Sequence, residues 1–99
     1  MTYIMAVDQG TTSSRAIIYD LNKKIVCKAQ RPLKLYYPQP GWVEVDASVL
    51  WQSVLAVINE VITNPEINPG QIKAIGITNQ RETTVVWDKN TGIPIANAI

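Results

Sequence analysis

Tyr3-Ile4-Met5-Ala6-Val7-Asp8-Gln9-Gly10-Thr11-Thr12-Ser13-Ser14-Arg15-Ala16-Ile17-Ile18-Tyr19 is the stretch on which the fold turns. Ile4 to Val7 is a short apolar run that stops at a carboxylate, Asp8, and reads as a buried strand with a charged group at its C-terminal end. Gln9 to Ser14 are turn formers, and Arg15 to Tyr19 reads as a second strand. So short a connection implies antiparallel pairing. Asp20-Leu21-Asn22-Lys23 is a further turn, and Ile25 to Arg31 a third strand.

Downstream the pattern changes. Residues 32–45 hold Pro32, Pro38, Pro40 and Gly41 with Tyr36, Tyr37 and Trp42. Proline removes a ladder donor, so this is an excursion or an edge segment, which its aromatics are expected to pin against the body. Asp46 is a good helix N-cap. After it Leu50, Val54, Val57 and Val61 form one stripe, with Trp51, Leu55, Ile58 and Ile62 beside it, which predicts a helix with a wide apolar face. Asn64-Pro65 ends that helix, and Asn68-Pro69 suits the start of a short helical turn. Ile72 to Thr78 reads as a fourth strand, closely packed at Gly76, and Thr83 to Trp87 as a fifth. Asp88 to Gly92 is a hairpin turn, and Ile93-Pro94-Ile95 opens another element.

The fold class is therefore α/β: a mixed sheet with three antiparallel N-terminal strands, then a helix crossover that brings the fourth strand in parallel beside the first. No repeat, low-complexity tract or linker interrupts it. The pattern breaks off in mid-element at Ile99, as expected of a partial domain.

Composition narrows the function classes. With 46% hydrophobic and 17% charged residues in 99, the chain is too apolar for a disordered one and long enough for a single small core. A formal charge of +1 predicts neither a nucleic-acid footprint nor a polybasic membrane patch. Cys27 is the only cysteine and histidine is absent, so no intrachain disulfide and no zinc site is expected. Cys27 alternates with Ile25 and Ala29 and reads as a small hydrophobe. The opening apolar run is too short to span a membrane and lacks the basic flank of a secretory signal, which points to the cytoplasm.

Two motifs carry possible chemistry. Asp8-Gln9-Gly10-Thr11-Thr12-Ser13-Ser14-Arg15 offers four hydroxyls, a glycine that frees the backbone, turn N–H groups and a fixed positive charge. Such an array can form an anion-binding concavity, and Asp8 is placed to hold Mg²⁺, through water. The same residue types also build ordinary hairpins, and composition alone favours the hairpin. Neither a Walker A loop nor G-x-G-x-x-G is present. The second motif, Thr78-Asn79-Gln80-Arg81-Glu82-Thr83, follows a buried strand abruptly. A carboxylate accepts from hydroxyls and a guanidinium donates to them in a fixed fork, so Arg81 and Glu82 supply both halves of a polyol site. An exposed ion pair on a solvated hairpin is the plainer alternative.

Taken together with Tyr37-Pro38-Gln39-Pro40-Gly41-Trp42-Val43-Glu44-Val45-Asp46 and Thr91-Gly92-Ile93-Pro94-Ile95-Ala96-Asn97-Ala98-Ile99, the two motifs change the balance. Over essentially its whole length the chain resembles the FGGY carbohydrate kinases and, within them, the glycerol kinases. The Asp-x-Gly-Thr start is shared by many sugar kinases and, more loosely, by actin-like ATPases. Asn79-Gln80-Arg81-Glu82-Thr83 is much narrower.

The resemblance implies a ribonuclease H-like, actin-type ATPase domain, of which residues 1–99 are the N-terminal, incomplete part. It implies phosphorylation of glycerol by ATP to sn-glycerol 3-phosphate in a cytoplasmic homo-oligomer, dimer or tetramer. By the same resemblance Thr11, Thr12, Ser13 and Arg15 would contact ATP or ADP phosphates, and Thr11 the phosphate of sn-glycerol 3-phosphate. Asp8 would organise Mg²⁺, and Arg81 and Glu82 would bind glycerol. The family's catalytic base would lie downstream of residue 99, so the isolated stretch is expected to be inactive. Rival readings are another sugar kinase of the family or a non-catalytic actin-type nucleotide-binding module.

Overall fold

The computed structural model describes residues 1–80 and 83–99. Its centre is a four-stranded sheet of order β3-β2-β1-β6, built from β1 (Tyr3–Gln9), β2 (Ser13–Asp20), β3 (Ile25–Pro32) and β6 (Ile72–Thr78). β1 and β2 pair antiparallel, as do β2 and β3, and β6 lies parallel to β1. The expected mixed sheet and helix crossover are both present.

β2 begins earlier than its apolar run. Ser13 and Ser14 are already laddered to Pro32 and Arg31 of β3, so the connecting turn shrinks to Gly10, Thr11 and Thr12. It closes through Gly10 N–H to the Ser13 carbonyl at 2.9 Å. Gly10 does not use the left-handed backbone region. Its value is space, since a Cβ there would come within 3.2 Å of the Ser13 carbonyl oxygen. The β2–β3 turn is held by Asp20, whose Oδ1 accepts from the N–H groups of Asn22 and Lys24 at 2.8 and 3.0 Å. Lys23 takes the positive φ that tight turns need.

Helix α1 (Ala47–Ile62) is capped by Asp46, which accepts from Ser48 N–H at 2.9 Å and Val49 N–H at 3.2 Å. It lies across β2 and β3. Val54, Val57 and Val61 are its buried stripe, packed with Tyr3, Met5, Val7, Ala16, Ile18 and Ala29 of the sheet. The buried face is narrower than the apolar periodicity implies: Ile58 and Ile62 pack partly on the core, whereas Trp51 and Leu55 are exposed. Arg31 donates to Glu60 at 2.7 Å and ties β3 to the helix from outside. After the helix, Asn68 caps a single 3-10 turn at Pro69–Gln71.

Several expectations fail beyond the central sheet. The excursion does fold back, as the two-residue strands β4 (Leu35–Tyr36) and β5 (Glu44–Val45). Its aromatics do not pin it, for Tyr37 is 68% and Trp42 53% exposed. Residues 83–87 form no regular strand. Instead the segment closes on itself, with paired backbone bonds between Thr84 and Ile99, and on β5 through Val45 and Ala98. Trp87 bridges Pro94 through flanking bonds, from Asp88 N–H to the Ile93 carbonyl at 2.9 Å and from Ile95 N–H to the Val86 carbonyl at 3.0 Å. The Asp88–Gly92 turn forms as expected, with Gly92 at φ 74°. Gly76 meets no neighbour on its open side, so the close packing expected there is absent. Ile75 and Ile77, in register with the buried Met5 and Val7, are themselves exposed. Cys27 packs partly against the core, its Sγ 3.9 Å from the Val61 carbonyl.

Candidate functional site

Strand register builds the polar face. Asp8 is the Cα partner of Arg15 on β2 and of Thr78 on β6. Partners in register share a sheet face, so the three side chains form a row across three strands, away from the helix. Both carboxylate oxygens of Asp8 are used. Arg15 Nη2 donates to Oδ2 at 3.0 Å, and Thr78 Oγ1 donates to Oδ1 at 2.9 Å. The Asp8–Arg15 pair is nearly half exposed on both sides, so solvent screens it and about 1 kcal/mol or less holds it closed. An arriving anion can therefore compete for the guanidinium.

The hydroxyl run divides by strand alternation. Thr11 and Thr12 are exposed on the turn. Ser13 is half-buried and accepts from Gln30 Nε2 at 2.9 Å. Ser14 is fully buried, facing the helix, with its Oγ 2.7 Å from Ser53 Oγ. One of the four hydroxyls that the motif offers is therefore structural: alternation along β2 turns Ser14 inward, and it is not among the residues expected to contact phosphate.

The two motifs meet. A cavity of about 350 Å³ is lined by Thr11 and Thr12 from the turn, by Gln80 and Thr83 from the second motif, and by Tyr37 and Glu44 from the excursion. Below it, Gln80 Nε2 donates to Gln9 Oε1 at 2.9 Å, and Thr83 Oγ1 donates to Gln80 Oε1 at 2.7 Å. Gln9 in turn donates to the Gly10 carbonyl at 2.8 Å. Arg81 and Glu82, the residues expected to bind the polyol, lie outside the described residues. Of the residues on either side of them, Gln80 bonds Gln9 at the end of β1, and Thr83 bonds Gln80.

Sequence reasoning missed Gln80, Thr83, Tyr37 and Glu44 as cavity lining. The first two stood within the quoted motif, and amide and hydroxyl side chains flanking a charged pair were the available signal. Glu44 gave none, because only the β4–β5 fold-back brings it over the turn. It also accepts from Asn97 Nδ2 at 3.2 Å, which fastens the C-terminal segment to the excursion.

Among the described residues no group of three or more Asp, Glu, His or Cys converges as a metal cage. Asp8 is a lone carboxylate beside exposed hydroxyls, a donor set that suits a hydrated hard cation shared with phosphate better than an all-protein site. No helix among the described residues is long and apolar enough to cross a membrane.

Residues 3–99 match the FGGY family of carbohydrate kinases, N-terminal domain. The chain is 63% identical over 97 residues to the glycerol kinase of Staphylococcus haemolyticus, covering 98% of this chain and 19% of that one. It is 61% identical over 97 residues to the glycerol kinase of Geobacillus sp., covering 98% and 20%. Among solved structures, Plasmodium falciparum glycerol kinase with ADP superposes with a TM-score of 0.86 at 36% identity, over 100% of this chain and 20% of that one. The chain thus spans about a fifth of the length of these relatives. The mixed sheet with its helix crossover is the ribonuclease H-like, actin-type arrangement of those kinases. Sheet topology, the row Arg15–Asp8–Thr78 and the match along nearly every residue lead to one conclusion: this chain belongs to the FGGY family of carbohydrate kinases.

Proposed function

We propose that the full-length protein transfers the γ-phosphoryl group of ATP to glycerol, giving sn-glycerol 3-phosphate, and that this chain is the N-terminal part of its first domain. The observation that carries the reading is the shared cavity: the exposed hydroxyls of Thr11 and Thr12 line the same space as Gln80 and Thr83, which bracket the Arg81-Glu82 pair. An alcohol acceptor and a phosphoryl donor need that proximity, because phosphoryl transfer is largely positioning and charge stabilisation.

In this reading Thr11, Thr12 and Ser13 donate hydrogen bonds to ATP phosphate oxygens, with Thr11 also serving the phosphate of the product. Arg15 is held by Asp8 before the nucleotide arrives and swings its guanidinium toward phosphate afterwards. Asp8 would hold Mg²⁺ through water, and the ion would supply charge neutralisation at the phosphates. Glu82 accepts from two polyol hydroxyls, and Arg81 donates to them. Use of ATP on a small soluble alcohol suits a cytoplasmic enzyme, and the family resemblance implies a homo-oligomer, dimer or tetramer.

Substrate profiling of the full-length protein tests the proposal. Glycerol should support ATP turnover far better than pentitols, ketoses or gluconate. Preference for one of those sugars would move the protein elsewhere in the family. Nucleotide binding with no alcohol-dependent turnover would overturn the reading altogether.

A further inference from the structure

The side chain of Gln80 spends both ends of its amide inside the protein. Its Nε2 holds Gln9, the last residue of β1 and the neighbour of Gly10, while its Oε1 accepts from Thr83, three residues further on. One half-buried planar group therefore joins the base of the phosphate turn to both ends of the four-residue segment 80–83. A third contact on the same border, Thr78 to Asp8, anchors the end of β6 to β1. The distances are those of well-formed hydrogen bonds. An amide is the side chain that can donate in one direction and accept in the other at this spacing.

We propose that Gln80 is a positioning residue for phosphoryl transfer: with both ends of its amide bonded to protein, it acts by setting the distance between the segment 80–83 and the turn after β1. This rests on the proposed alcohol-kinase reading. Its mechanical basis is that β1 and β6 end side by side at Asp8 and Thr78, after which the two connections depart separately. Across that gap Gln80 Nε2 reaches Gln9 Oε1, and the bond that Gln80 accepts from Thr83 carries the link to the far end of the segment. Releasing these bonds lets the acceptor hydroxyl drift from the phosphoryl group. A displacement of about 1 Å at a reacting centre can lower the rate about a hundredfold.

The test uses the full-length protein with steady-state kinetics on a panel of glycerol, pentitols and ketoses, reading each variant on whichever alcohol the wild type turns over. Gln80→Leu, similar in volume, should lower kcat about tenfold or more and raise the alcohol KM, while the KM for ATP stays within about twofold. Thr83→Val removes one link and should raise the alcohol KM about fivefold, the effect of one ordinary hydrogen bond. Gln80→Glu still accepts from Thr83 but sets a carboxylate oxygen against Gln9 Oε1, whose own N–H is committed to the Gly10 carbonyl, so it should recover only part of the loss.

Gln80→Leu with unchanged constants overturns the proposal. So does an equal rise of the KM for ATP and for the alcohol, which marks general loosening. Should Gln80→Leu fail to fold, Thr83→Val decides, and an unchanged alcohol KM refutes the role. A wild type that prefers another alcohol refutes glycerol as substrate but leaves this test intact. A wild type that turns over none of them overturns both.

Discussion

Ser14 and Ser53 offer an asymmetric test of which hydroxyls are free for the proposed phosphate contacts and which serve the fold. Ser53 Oγ donates to the Leu50 carbonyl at 2.7 Å, so its proton is committed. In the 2.7 Å contact between the two serines, Ser14 is then the donor and Ser53 the acceptor. Ser14→Ala removes a donor from an oxygen that keeps its other bond, and should cost about 1 kcal/mol. Ser53→Ala strands the fully buried Ser14 hydroxyl without a partner, at about 1–3 kcal/mol, offset by a few tenths from the better helix propensity of alanine. The double variant should cost less than the sum of the singles, because the stranded group is gone. Native-state hydrogen exchange at the β2 amides of the full-length protein reads these free energies where they arise. The KM for ATP should stay within about twofold for Ser14→Ala, since a side chain facing the helix cannot reach phosphate. The reasoning is refuted if Ser14→Ala costs more than Ser53→Ala, or if it impairs ATP use while leaving exchange unchanged.

Other consequences are more local. Gly10→Ala should strain the turn by about 1 kcal/mol, because the new Cβ meets the Ser13 carbonyl oxygen at 3.2 Å; kinetics should show a raised KM for ATP with little change in the KM for glycerol. Burial pushes the Cys27 thiol above its ordinary value, with the Glu66 charge adding to the effect. Iodoacetamide at pH 8 should therefore label it more slowly than an exposed cysteine, and Glu66→Gln should speed labelling slightly. The Asp88 carboxyl lies below its ordinary 3.8, chiefly because the Asn90 and Thr91 N–H groups donate to its charged form. A lowered carboxyl stabilises the turn above the ordinary value and loses that contribution as pH falls from there through the lowered one. NMR titration of the Asn90 and Thr91 amides should show a midpoint below 3.8, and a midpoint at or above it would contradict the geometry.

The central sheet and its helix were legible because each rests on local rules. Apolar runs broken by Asp, Gly and Asn give strands and turns, Asp46 caps a helix with periodic valines, and a strand–helix–strand order calls for a parallel crossover. Residues 83–99 were not, since a β-branched run becomes a regular strand only if a partner stays in register along it, and here the segments meet at isolated bridges, Trp87 with Pro94 and Val45 with Ala98. The aromatics of the excursion misled for a related reason: hydrophobicity states what can be buried, not whether a neighbour arrives to bury it.

The sequence alone determined which residue types were available to the site: a carboxylate at the end of β1, a hydroxyl-rich turn, and an arginine–glutamate pair after β6. Tertiary structure decided how they are used. Alternation along β2 assigned Ser14 to the core and left Thr11 and Thr12 at the surface. The parallel register of β1 and β6, contacts between residues 70 positions apart, set Thr78 against Asp8. Those relations depend on chain segments distant in sequence, and the free energy that aligns them comes from the buried face beneath, where Val57, Ile18 and Met5 pack.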